Sequence, residues 1–152
     1  MRSLELRRHA RRDPAEDRLS DEGRAQATDV GGALGGGYDV VFTSPALRAA
    51  ETLDRFLRAR DEPAPVPEVV PGLAGRGTDG GPTELGRVLA ELLARVPEGG
   101  RGLAVGHTPL IERGIEGLTG RTIESLGECE GALLTDDGRI EVRELRIVPG
   151  RS

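Results

Sequence analysis

Apolar and polar positions along this chain switch repeatedly between a period of two and spacings of three and four. Residues 3–6, "SLEL", predict a short strand with Leu4 and Leu6 on one face. "LSDEGRAQA" then marks a helix start, with Ser20 as N-cap and Asp21 and Glu22 at the positive end of the dipole. Ala27, Val30 and Leu34 continue it at helical spacing until the glycines 35–37 stop it. "YDVVFT", 38–43, predicts a buried strand. In "SPALRAAETLDRFLRAR" Ser44 is the expected cap, Pro45 the first helical residue, and Leu47, Ala50, Leu53 and Leu57 the buried face.

A Pro-rich stretch follows, with a short strand around Val69 and Val70, then a Gly-rich loop over 72–82. A helix from Thr83 carries Leu85, Val88, Leu89 and Leu92 on one face. "GLAVGH", 102–107, predicts another buried strand. "TPLIERGIEGLTG" repeats the earlier grammar, with Thr108 as cap, Pro109 at the first helical position, and Ile111, Ile115 and Leu118 inward. "GALLTDDGRIEVRELRI" predicts a hairpin with its turn at Asp136 to Gly138. Apolar residues at 140, 142, 145 and 147 slip phase near Arg143 and Glu144, which predicts a bulge there or the end of the buried face.

Strand–helix alternation of this kind implies an α/β sandwich with a mainly parallel sheet, whose ligands bind beyond the carboxyl ends of the strands. His9 falls just after the first strand, Ser44, Pro45 and Arg48 just after the second, and His107 just after "GLAVG". All three clusters are therefore expected on one edge of the sheet.

Composition narrows the function classes. At 152 residues the chain is long enough for one ordinary domain, expected over 1–152, with a core of Leu, Val, Ile and Ala because aromatics are only 2%. All 21 basic residues are arginine, and the net charge is −5. That balance, with few aromatics for stacking, argues against nucleic acid as a partner. The single cysteine, Cys129, excludes an internal disulfide framework and a Cys-rich zinc site, and reads as a bland thiol. No signal-like run and no stretch approaching the ~18 apolar residues of a membrane span is visible, so a soluble cytoplasmic protein with no membrane partner is expected.

If the three clusters converge, two imidazoles (His9, His107), two guanidiniums (Arg8, Arg48) and two helix N-termini share one site. Each favours an anion, and guanidinium forks match phosphate oxygens. Surrounding cations disfavour a charged imidazole, so His9 is expected neutral and able to attack phosphorus, with His107 as a clamp on the oxyanion. Arg7, Arg11 and Arg12 read as solvated surface charge, or else as a basic rim for an acidic phosphoprotein. Glu51 reads as a solvated helix residue, and the glycine loop lacks the lysine of a nucleotide-binding P-loop.

"LRRHA", "LSDEGRAQA", "FTSPALRAAET" and "LAVGHTPLI", in that order, resemble the histidine phosphatase superfamily. The short length and RHA in place of RHG resemble its small SixA-type phosphohistidine phosphatases. The resemblance implies a phosphoglycerate mutase-like three-layer α/β/α sandwich, with the mainly parallel sheet and C-terminal β-hairpin already expected. It implies His9 as the phosphorylated nucleophile, Arg8 and Arg48 as phosphoryl-binding arginines, and His107 as the second histidine that stabilises the transferring group. Thr108 joins them as a helix cap whose backbone N–H is a candidate phosphate ligand. The resemblance implies that no metal and no cofactor is required.

The chain departs from the family at two places. Arg12 and Ala15 stand where mutase-like members carry small polar residues. The acidic proton donor of the mutase and phosphomonoesterase branches has no counterpart in a motif, and Asp79 and Glu84 are the candidate carboxylates in "PGLAGRGTDGGPTEL". An alkoxide leaving group needs a proton donor, whereas an imidazole, with a pKa near ~6.5, departs far more readily. Phosphohistidine, carried on a phosphorylated protein, or another phosphoramidate is therefore the expected substrate. Two rivals stand beside it: a phosphomonoesterase for a small phosphorylated metabolite, using Glu84 or Asp79, and a phosphate- or phosphoprotein-binding module without catalysis. Mutase activity would need a long substrate-covering insertion that the chain lacks.

Overall fold

The computed structural model describes residues 1–60, 62–75 and 81–146. Six strands form one sheet: β1 (Arg2–Arg8), β2 (Val40–Thr43), β3 (Glu68–Val69), β4 (Arg101–Gly106), β5 (Gly131–Asp136) and β6 (Ile140–Leu145). Four helices connect them: α1 (Asp21–Ala33), α2 (Leu47–Arg58), α3 (Pro82–Arg95) and α4 (Leu110–Thr119). The strand order is β3-β2-β4-β1-β5-β6. Pairings among β3, β2, β4 and β1 are parallel, while β5 runs antiparallel to both β1 and β6. The expected α/β class, mainly parallel sheet and C-terminal hairpin are all present.

Alternation along the strands builds two cores. Leu4, Leu6, Phe42 and Ala104 face α3 and α4, where they meet Leu89, Leu92, Leu93, Ile111 and Ile115. Val41, Leu103 and Val105 face the opposite side with Ala27 of α1 and Ala49, Leu53 and Phe56 of α2. The sheet is thus the middle of three layers. Glu5, between Leu4 and Leu6, points to the second side, where its buried carboxylate accepts from the Tyr38 hydroxyl at 2.8 Å and from Arg7 Nε at 2.7 Å.

Ser20 caps α1 as expected, accepting from the Gly23 N–H at 3.0 Å. The chain leaves this helix through Gly36 and Gly37, both at φ +69°, a region that glycine enters without steric cost. The α2 and α4 starts differ from expectation. Ala46 and Pro109 occupy the N-cap positions, Pro45 lies outside the helix, and neither helix has a side-chain cap of its own. The buried stripe of α2 is Ala49, Thr52, Leu53 and Phe56, while Leu47 is 66% exposed. Seating the large Phe56 ring inward rotates the face by one position from the expected one. Pairing between β5 and β6 is continuous from Gly131–Leu145 to Asp136–Ile140, so no bulge accounts for the phase slip, and Arg143 and Glu144 mark the end of the buried face. Ile147 lies outside the described residues.

Helices α3 and α4 cross at glycines. A Cβ at Gly117 would stand 1.9 Å from the Pro82 carbonyl oxygen, and one at Gly86 would stand 2.9 Å from the Gly117 backbone. Backbone cannot yield as a side-chain tip can. Gly117→Ala is therefore expected to cost about 1–3 kcal/mol, seen as a lower urea midpoint at unchanged m value. An unchanged midpoint would show that the helices do not approach this closely.

Candidate active site

The carboxyl ends of β1, β4 and β2 lie side by side, with Arg8 opposite Gly106 and Thr43 opposite Val105. The ladders run one residue further into the loops: the His9 N–H donates to the Gly106 carbonyl at 3.1 Å, and the Ser44 N–H to the Val105 carbonyl at 3.1 Å. These bonds fix the backbone beneath the candidate residues. His9 and His107 are brought together, each 7% exposed, with ring centroids 5.3 Å apart.

The hydrogen bonds decide which ring nitrogens are free. His9 Nδ1 lies 2.7 Å from the Ala10 carbonyl oxygen. A carbonyl only accepts, so Nδ1 carries the proton and the neutral ring keeps its lone pair on Nε2. Arg48 Nε points at that lone pair from 3.4 Å. On the other ring, Arg48 Nη2 lies 3.4 Å from His107 Nδ1, and the Ser44 hydroxyl lies 2.6 Å from His107 Nε2. A guanidinium only donates, so Nδ1 accepts and Nε2–H donates to Ser44.

Both imidazoles are held neutral. His9 lies below its ordinary value of 6.5, first because burial disfavours the charged ring and then because Arg48, Arg8 and Arg12 repel it, against the opposing bond to Ala10. The arginines were expected to be the main cause, and burial exceeds them. His107 is pushed down to about 4, by burial first and then by Arg48 and His9. A reaction that needs neutral His9 should therefore keep its kcat/KM through pH 6.5 and lose it only further into acid, since a lowered pKa delays protonation. An acid limb centred at or above 6.5 would contradict this. The same shifts reduce stability as pH falls below 6.5, because the unfolded rings take up protons that the folded ones refuse; for His107 the loss runs until about 4.

The two adjacent arginines diverge, as strand alternation requires. Arg8 Nη1 donates to the Leu126 carbonyl at 2.9 Å, and its buried Nε has no hydrogen-bond partner among the described residues. Arg7 is not the solvated charge expected of it. Its side chain is 12% exposed, bonded to Glu5 and to the Cys129 carbonyl at 3.0 Å. Arg11 and Arg12 are exposed; Arg11 lies 3.8 Å from Glu22, and Arg12 donates to the carbonyls of Asp13 and Glu16. Cys129 is buried, which pushes its thiol up to about 12 and keeps it protonated.

Other expectations need correction or remain outside the site. Thr108 does not cap α4; its hydroxyl donates to Glu112, whose carboxylate also takes the Leu126 N–H at 2.9 Å. Glu51 is not merely solvated, since it accepts from Arg24 Nε at 2.5 Å and from the Leu19 N–H at 2.9 Å. Glu84 lies in the first turn of α3, partnered by Arg87 at 3.3 Å rather than by a histidine of this site. Asp79 lies outside the described residues.

Two residues meet the site in ways that sequence pattern does not show. Ser44 was expected as a helix cap and instead orients His107. Asp17 belongs to no motif, yet its carboxylate accepts from Arg48 Nη1 at 2.8 Å, from the Leu47 N–H at 2.9 Å and from the Arg48 N–H at 3.2 Å. The one available signal was indirect: α2 begins with no acidic residue in its first turn, so its free N–H groups need an acceptor from elsewhere.

The assembled groups can neutralise and orient a tetrahedral oxyanion beside an imidazole lone pair. No grouping of three or more His, Cys, Asp or Glu side chains that could hold a metal occurs among the described residues. No helix of the described residues is long and apolar enough to cross a membrane.

Comparison with known proteins points the same way. The model of the histidine phosphatase superfamily (branch 1) matches residues 4–98. No curated protein matches the sequence. Among solved structures, the protein histidine phosphatase SixA complexed with tungstate is 25% identical, with a TM-score of 0.73 over 95% of this chain and 96% of that one. A phosphoserine phosphatase from Entamoeba histolytica, in complex with 3-phosphoglyceric acid, shares 17% identity with a TM-score of 0.78 over 98% of each chain. A phosphoglycerate mutase from Bacillus anthracis str. Sterne shares 16% identity with a TM-score of 0.76, covering 94% of this chain and 92% of that one.

Proposed function

Because the chain belongs to the histidine phosphatase superfamily and is a phosphatase, we propose that it hydrolyses phosphohistidine on a protein, with His9 as the nucleophile. His9 Nε2 attacks the phosphorus of the substrate. The P–N bond to the substrate imidazole breaks as the bond to Nε2 forms, and the departing nitrogen keeps the electron pair and is protonated from water. A water molecule then attacks phosphorus, the bond to Nε2 breaks, and inorganic phosphate leaves. Arg8 and Arg48 stabilise the charge on the transferring oxygens, with the backbone at Thr108 alongside, and His107 joins them once the arriving anion draws a proton onto its Nδ1.

The observation that carries the substrate class is the set of donors on Asp17, the Leu47 and Arg48 N–H groups and Arg48 Nη1. Burial raises its pKa, but the bonds from the Arg48 side chain and from the Leu47 and Arg48 N–H groups outweigh that and hold it below the ordinary carboxylate value. The carboxylate that meets Arg48 is therefore ionised at neutral pH and has no proton to give an alkoxide. A departing imidazole has far less need of one. A 25% identical protein histidine phosphatase covering nearly the whole chain supports the same reading.

Purified protein, given a phosphohistidine peptide and a panel of phosphomonoesters at one pH and salt concentration, tests the assignment. Without a proton from Asp17, a preference for the P–N substrate of about 100-fold or more in kcat/KM is expected. Phosphomonoester hydrolysis at an equal or higher rate would move the function to a small metabolite, with Glu84 and Asp79 as the next targets for substitution.

A further inference from the structure

The N-terminus of α2 is closed by a residue from a different segment. Ala46, its N-cap, has no side-chain acceptor, and Asp17, from the loop between β1 and α1, takes the N–H groups of Leu47 and Arg48 instead. The same carboxylate takes Arg48 Nη1 at 2.8 Å. Three donors of one residue pair thus converge on Asp17. The opposite edge of the guanidinium is left facing the two rings, with Nε at His9 Nε2 and Nη2 at His107 Nδ1. A flat, rigid fork anchored at one corner and along its own backbone has little freedom to turn.

We propose that Asp17 is a positioning residue for phosphoryl transfer: it fixes the plane of Arg48 so that the Nε–Nη2 edge meets the transferring group between His9 and His107. The proposal rests on the reading of that site as a phosphoryl-transfer centre. Asp17 itself touches neither imidazole in the hydrogen-bond pattern; it acts through Arg48. Its negative charge beside the site opposes the arrival of any anion. The benefit of holding Arg48 must therefore fall on the crowded, five-coordinate phosphorus rather than on bound phosphate. That is the distinction between stabilising a transition state and binding a ground state.

The test compares two oxyanions on the purified protein, inorganic phosphate for the ground state and metavanadate for the five-coordinate state. In Asp17→Ala, vanadate affinity is expected to fall by about tenfold while phosphate affinity stays within about twofold or tightens, a smaller loss than outright removal of an electrostatic donor. Turnover should show kcat falling at nearly constant KM. Asp17→Asn keeps an oxygen acceptor for the helix and should lie between the wild type and the alanine variant; it carries the comparison if Asp17→Ala does not fold. Parallel weakening of both ligands, or a lower melting temperature with both affinities unchanged, would overturn the proposal and leave Asp17 as a helix cap only. Binding of the two oxyanions does not depend on the substrate. A failure of the phosphohistidine assignment would appear as preferred turnover of esters and would leave the vanadate-to-phosphate ratio intact.

Discussion

His9→Ala is expected to lower kcat/KM by about 10⁴-fold or more on any substrate the wild type turns over, because it removes the atom that would carry the phosphoryl group. The fold should tolerate the change. His9 bonds the sheet through its backbone N–H, which alanine keeps, and among the described residues its ring bonds its neighbour's carbonyl and Arg48. A lost rate with an unaltered melting temperature is the expected pair of results. If His9 were instead one more electrostatic contact, the loss would stop at about 100- to 1000-fold. His9→Asn separates the two roles further, since an amide can hydrogen bond but its nitrogen lone pair is delocalised and does not attack phosphorus.

Arg48→Ala is the second large effect, expected at about 100- to 1000-fold in kcat/KM. Arg48 bridges both rings and Asp17 with three different nitrogens. A lysine ammonium is a single point and cannot meet three such partners at once, so Arg48→Lys should recover no more than about tenfold of the loss. The alanine variant should also shift the acid limb of kcat/KM toward higher pH, because removing the guanidinium removes one of the repulsions that keep His9 and His107 unprotonated. An Arg48→Ala enzyme with wild-type rates and an unmoved acid limb would place Arg48 outside the chemistry.

Much of the scaffold was legible from periodicity because each strand and helix buries one face. Leu4 and Leu6 of β1, Leu89 and Leu92 of α3 and Ile111 and Ile115 of α4 all lie in the core where the pattern put them. The convergence of the His9, Arg48 and His107 segments was also legible, since parallel strands place their carboxyl ends together. What sequence pattern could not supply was partnership across segments. Ser44 and Thr108 look like helix caps to any rule that considers only adjacent residues, yet their hydroxyls meet His107 and Glu112. Asp17 has no periodic neighbour and belongs to no motif, and its significance arises only when the 9–20 loop folds against α2. Arg7 and Arg8 are neighbours in the sequence and diverge in the structure, one turned toward Glu5 and the other toward the Leu126 carbonyl.

The most direct test of a phosphorylated His9 is a single-turnover experiment, quenched in alkali within the first turnover, with phosphorus-labelled phosphohistidine peptide as substrate. The label should appear transiently on the protein as an alkali-stable, acid-labile phosphoramidate, map to the peptide containing His9, and be absent from His9→Ala. Turnover with no protein-bound label at any time, or label that persists in His9→Ala, would contradict transfer through His9.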